Sequence, residues 1–139
     1  MPIRNYTTKI SVAQTVGEIQ EILAKYGASK IMLDYESGKP VAITFQISTE
    51  MGSQGVRMRV NVPGCMEAIK ESGGKADMAQ AERVAWRNRK DWVDTQLGMV
   101  AEKQATMAQI FLPYILGKND QEVYELFRAK QLLLPEGQG

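Results

Sequence analysis

The sequence predicts a single α+β domain in which an N-terminal helix and a three- to four-stranded antiparallel sheet precede a helical C-terminal half with one long helix. Three observations predict it. Val12, Val16, Ile19, Ile22, Leu23 and Tyr26 recur at helical spacing. Three strand-like runs, 30–35, 40–49 and 56–62, follow with turn-rich spacers of hairpin length between them. A helical pattern then extends over 76–103. With 139 residues the chain has the length of one ordinary domain. Residues 1–72 make its sheet-bearing half and 76–132 its helical half.

The elements follow in order. Residues 6–10 alternate weakly and are expected to form a short first strand. The first helix has two candidate starts, Ser11 as N-cap or a capping box formed by Thr15 and Glu18, and Gly27 is placed to end it. In the run 40–49, Val41, Ile43, Phe45 and Ile47 share one face, and Ala42, Thr44, Gln46 and Ser48 share the other. In 56–62, Val56, Met58, Val60 and Val62 oppose Arg57, Arg59 and Asn61, so the polar face of the sheet carries two arginines. A short helix is expected from Pro63 to about Glu71, then a flexible connector at 72–75.

Gly98 interrupts the long helix and is a candidate for a kink or an end, since glycine costs about 1 kcal/mol against alanine in a helix interior. Two apolar columns repeat every seven residues: Ala85, Trp92 and Met99 form one, and Trp86, Val93, Val100 and Met107 the other. Between them runs a polar column of Glu82, Arg89, Gln96 and Lys103, which needs partners because unsatisfied polar groups in an apolar stripe are costly. Residues 106–116 are expected to be helical, and a last helix over 120–132 is expected to turn Val123, Phe127 and Leu132 inward. Met78, Met99 and Met107 read as core filler or as part of a subunit contact.

Composition excludes more than it assigns. The chain has no histidine, which removes Ser–His and Cys–His nucleophile pairs and the commonest transition-metal ligand. One cysteine, Cys65, rules out an internal disulfide. It reads either as a thiol activated at a helix N-terminus or as a small buried residue. Seventeen basic against sixteen acidic residues leave no global field for nucleic acid or membranes. No apolar run reaches the roughly 20 residues of a membrane span, and the first residues lack the build of a signal peptide, so the cytoplasm is the expected compartment. No Walker A loop, GxGxxG or CxxC is present. No catalytic residue, metal site or cofactor is expected.

The candidate ligand-binding residues are basic and aromatic. Arg83, Arg87 and Lys90 form a stripe with Asp91 and Asp94 placed four residues beyond Arg87 and Lys90. This is either a solvated face with helix ion pairs or an anion clamp, because the arginine fork suits phosphate and carboxylate. Arg89 has Trp86 three residues before it and Trp92 three after, so its guanidinium can lie against an indole. It serves a core, a subunit interface or a ligand. Arg57 and Arg59 are either a plain solvent face or a nucleic-acid contact.

The stretches TVGEIQEILAKYG, GKPVAITF and QAERVAWRNRKDW, followed by FLPYIL, resemble a family of small uncharacterised proteins of phages and prophages. The resemblance implies an accessory protein acting in the bacterial host cytoplasm. The leading expectation is a non-catalytic homo-oligomer that sequesters a phosphate-bearing small molecule, such as a nucleotide used as a host defence signal. Trp86 or Trp92 would stack the base, and Arg83, Arg87 or Arg89 would hold phosphate. The alternatives are binding of single- or double-stranded nucleic acid through Arg57, Arg59 and Asn61, and inhibition of a host enzyme.

Overall fold

A computed structural model describes residues 2–130. Helix α1 (Val12–Lys25) leads into a meander of β1 (Ser29–Glu36), β2 (Lys39–Thr49) and β3 (Gly52–Arg59). Helix α2 (Val62–Glu71), the long helix α3 (Met78–Ala101), the short helix α4 (Met107–Phe111) with a 3-10 turn at Leu112–Tyr114, and helix α5 (Val123–Lys130) complete the described chain. The sheet is antiparallel in the order β1-β2-β3. The expected α+β architecture is present, with three strands.

The fourth strand expected at 6–10 is absent. Residues 4–7 turn on themselves, with Tyr6 N–H donating to Ile3 and Thr8 N–H to Asn5. The segment crosses α3 as a strap instead, because its polar groups bond that helix rather than a strand.

Local chemistry sets the helix ends. Ser11 caps α1, its hydroxyl accepting from Gln14 N–H at 3.1 Å, so the capping box expected at Thr15 does not form and Thr15 is buried within the helix. Gly27 adopts a φ of 92° just beyond the helix, where a side chain would be strained. A capping box does occur at α4, where Thr106 and Gln109 bond each other's backbone N–H. Asn61 caps α2 one residue earlier than expected, and Asp77 caps α3. Helix α3 runs through Gly98 without ending, and a Cβ there would meet nothing within 4 Å.

β3 begins earlier than its apolar pattern predicts. Gly52 to Gly55, expected as a spacer, pair with β2 in continuous register from Thr49 opposite Gly52 to Gln46 opposite Gly55. Gly55 lies against Leu116, whose N–H donates to its carbonyl at 2.8 Å. Glycine in a strand permits this close backbone approach.

The core lies between one face of the sheet and the helices. Ile43, Phe45 and Ile47 of β2 and Val56 and Met58 of β3 meet Val16, Ile19 and Leu23 of α1 and Trp86, Val93 and Leu97 of α3. Ile110, Phe111 and Ile115 close it. The Trp86 column therefore faces the core, whereas Met78 and Met99 are exposed and only Met107 packs as filler. Residues 106–116 are helical only to Tyr114, after which Ile115 bridges Val56 at the outer edge of β3. In α5 Val123 packs on the core, but Phe127 is 44% exposed and does not turn inward. Leu132 lies outside the described residues.

Candidate functional site

The strap, the connector before α3 and the first turns of α3 border an open groove of about 390 Å³ lined by Tyr6, Thr7, Lys9, Lys75, Gln80 and Arg83. The walls are set by hydrogen bonds. The Tyr6 hydroxyl donates to the Lys75 carbonyl at 3.0 Å and accepts the Lys75 N–H at 2.8 Å. Gln80 Nε2 donates to the Tyr6 and Thr8 carbonyls, each at 2.9 Å, and its Oε1 accepts from Arg83 Nε at 3.0 Å and from Arg83 Nη2. Gly74 lets the Tyr6 ring close on the backbone, since a Cβ there would stand 2.9 Å from ring atoms. Farther along, Asn5 Nδ2 donates to Asn88 and Asp91, and Arg4 pairs with Asp91 at 2.9 Å.

Three basic residues and no acidic one line the groove. Lys9, Lys75 and Arg83 belong to no ion pair among the described residues. Tyr6 and Gln80 have their polar atoms committed to the walls, so the lysine ammonium groups, the remainder of the Arg83 fork and the Thr7 hydroxyl are what a ligand can use. Such a set has the chemistry to accept an oxyanion.

Of the residues singled out in the sequence, only Arg83 reaches this groove. Trp86 is fully buried, and its Nε1 donates to the Pro40 carbonyl at 3.2 Å, so its indole is closed to a base. Arg87 turns to α1, where it pairs with Glu18 at 3.0 Å and donates to Thr15 Oγ1 at 3.4 Å rather than meeting Asp91. The hydrogen bond from Gln14, with that from Arg87 and the charges of Arg87 and Lys90, holds Glu18 below its ordinary value against the opposing effect of burial.

Arg89 lies over Trp92 and Tyr114, at 5.7 and 5.4 Å from their ring centroids, and donates to the Arg59 carbonyl at 2.7 Å. It clamps α3 to the end of β3. With Glu82 pairing Lys39 at 2.7 Å, two members of the polar column thus find partners inside one chain. Trp92 packs edge-on to Tyr114 and against Phe111. Lys90 and Asp94 make the helix pair that their spacing predicts, at 3.4 Å.

On the sheet, Arg57 approaches Asp34 to 3.8 Å and Arg59 pairs with Glu122 at 3.3 Å. Arg57 Nε and its cross-strand neighbour Thr44 Oγ1 are buried without a hydrogen-bond partner. Both sheet arginines are therefore neutralised in part by carboxylates that lie far from them in sequence. Cys65 follows the Asn61 cap of α2, and burial pushes its thiol up, opposite to the activated reading.

Lys9, Lys75, Tyr6, Thr7 and Gln80 were not legible as a site. They come from three stretches with no shared spacing, and only the fold of the strap unites them. Among the described residues no group of acidic or cysteine side chains is placed to hold a metal ion, and no helix is long and apolar enough to cross a membrane. Comparison with models of known protein families, with curated proteins and with solved structures finds no match.

Proposed function

We propose that this protein binds a small phosphate-bearing molecule, without transforming it, in the groove between the strap and α3. One observation carries the reading: Lys9, Lys75 and Arg83 line a single open groove that no acidic residue lines. An oxyanion in the groove would accept hydrogen bonds from these cations. The groove has no open indole, so the phosphate groups rather than a base supply the recognition. This moves the proposed contacts away from Arg87, Arg89 and the two tryptophans and keeps Arg83. The resemblance to phage proteins makes a nucleotide used by a host as a defence signal the ligand to try after simpler phosphates.

Nucleic acid is the less favoured ligand, because Arg57 and Arg59 already have carboxylate neighbours. Titration calorimetry with inorganic phosphate, pyrophosphate and ADP tests the proposal. Binding should tighten with phosphate count, weaken with salt, and fall at least about tenfold in a Lys9→Ala, Lys75→Ala double variant, a loss of about 1.4 kcal/mol. No binding of any of the three, or binding untouched by the double variant, overturns it.

A further inference from the structure

The strap is fastened to the rest of the molecule by two sets of anchors. At the groove, Gln80 donates to the Tyr6 and Thr8 carbonyls, and the Tyr6 hydroxyl both donates to and accepts from the Lys75 backbone. Farther along α3, Asp91 Oδ2 accepts from Asn5 Nδ2 at 2.8 Å and from Arg4 Nε at 2.9 Å, and Asn5 Nδ2 also donates to Asn88 Oδ1 at 2.8 Å. Apolar packing adds little. None of the described residues before Val12 is buried, and neither Ile3 nor Ile10 packs against the hydrophobic core. Docking of the strap therefore rests on polar bonds near water, each of which contributes modestly.

The two sets of anchors act on one unit. Tyr6 N–H donates to the Ile3 carbonyl and Thr8 N–H to the Asn5 carbonyl, each at 3.0 Å, so two overlapping turns tie residues 3–8 together. The strap in turn supplies Tyr6, Thr7 and Lys9 to the groove, three of the six residues that line it. Asp91 does not line the groove, and it lies eight residues beyond Arg83 on α3, about 12 Å along the helix axis. Its influence on a ligand there travels either through its charge or through the strap, and the two have opposite signs. As a charge the carboxylate repels an anion, so removing it would leave anion binding unchanged or tighter. As an anchor its removal weakens binding, because apparent affinity falls with the fraction of molecules in which the site is assembled.

Building on the oxyanion reading of the groove, we propose that Asp91 is a positioning residue for that site: by holding Arg4 and Asn5 on α3 it keeps the strap docked, and strap docking and oxyanion capture stabilise each other.

The test compares the full chain with its Asp91→Ala variant, using pyrophosphate as the probe in titration calorimetry and following amide exchange by NMR. Alanine suits a helix interior, and circular dichroism checks that the variant is folded. Without ligand, the Lys75 amide, whose partner is the Tyr6 hydroxyl, should exchange at least about threefold faster in Asp91→Ala. Pyrophosphate should bind that variant at least about threefold more weakly. In the parent it should slow exchange at Thr8 and Lys75. Asp91→Asn, which loses the charge but keeps an acceptor oxygen, should fall between the two in both measurements. Equal or tighter binding by Asp91→Ala overturns the proposal, as does a Lys75 exchange rate that ignores the substitution. A parent that binds no pyrophosphate overturns the groove reading and this coupling with it, whereas pyrophosphate held through Lys9 and Lys75 but indifferent to Asp91 overturns the coupling alone.

Discussion

Trp86 divides its side chain between two tasks. Its ring is fully buried in the core, and its Nε1–H bonds the carbonyl of Pro40. Pro40 lies in the central strand, where a residue without an N–H is tolerated because the pairing with β1 shifts between Asp34 and Tyr35. The indole thus pins the strand where its ladder is irregular. Trp86→Phe should lower stability by about 1–3 kcal/mol in urea denaturation, because the ring loses volume and the Pro40 carbonyl loses its partner. A variant as stable as the parent would remove the bond from the account. Trp86 was legible as apolar from its heptad column, and of the two indoles that flank Arg89 in sequence the guanidinium lies on Trp92, with Tyr114 beside it. Spacing on one helix says which residues share a side and leaves open what another element brings to it.

At the scale of elements, α3 is the organiser. It packs on both α1 and α2, carries the Trp86, Val93 and Leu97 face into the core, and receives the strap at Gln80, Asn88 and Asp91. Gly98 lies within it with space beyond its Cα. Gly98→Ala should therefore stabilise the protein, by up to about 1 kcal/mol through helix propensity and the lowered entropy of the unfolded chain. The midpoint of urea unfolding should rise with no change in slope. A fall would mean that the helix needs to flex there. The helices were readable because their apolar periodicity spans several turns. The start of β3 was not, because Gly52, Ser53, Gln54 and Gly55 resemble a loop and become a strand only through pairing with β2 and contact with Leu116.

At the scale of the whole molecule, polar contacts join segments that core packing alone would leave loose. Asp91 holds the strap. Burial pushes its carboxyl up most strongly, yet the hydrogen bonds from Asn5 and Arg4 and the charges of Arg4 and Lys90 together hold it below its ordinary value. Glu18 is likewise held down where α1 meets α3. A carboxylate with a lowered folded value contributes stability above its unfolded value, and that contribution is lost as the pH falls through the folded one. Unfolded values are 4.5 for Glu18 and 3.8 for Asp91. Thermal melts should therefore show both contributions intact at neutral pH and fading below about pH 4. Asp91→Asn should flatten part of that dependence. An unchanged pH profile would show that the strap is held by something else.

By itself the sequence determined the α+β class, the order of helices and hairpins, the faces of β2 and β3 that meet the core, and the lack of histidine chemistry. These are properties of local periodicity, turn residues and composition, which act over a few residues along the chain. Tertiary structure alone decided the partners of the charges: Arg87 with Glu18, Arg59 with Glu122, Arg89 on Tyr114, and Lys9, Lys75 and Arg83 around one groove. A long charged side chain has no preferred neighbour until folding fixes which carboxylates, carbonyls and rings lie within its reach. Periodicity can therefore place an arginine on a surface, and only the packed chain determines whether that surface is a clamp, a core or a site.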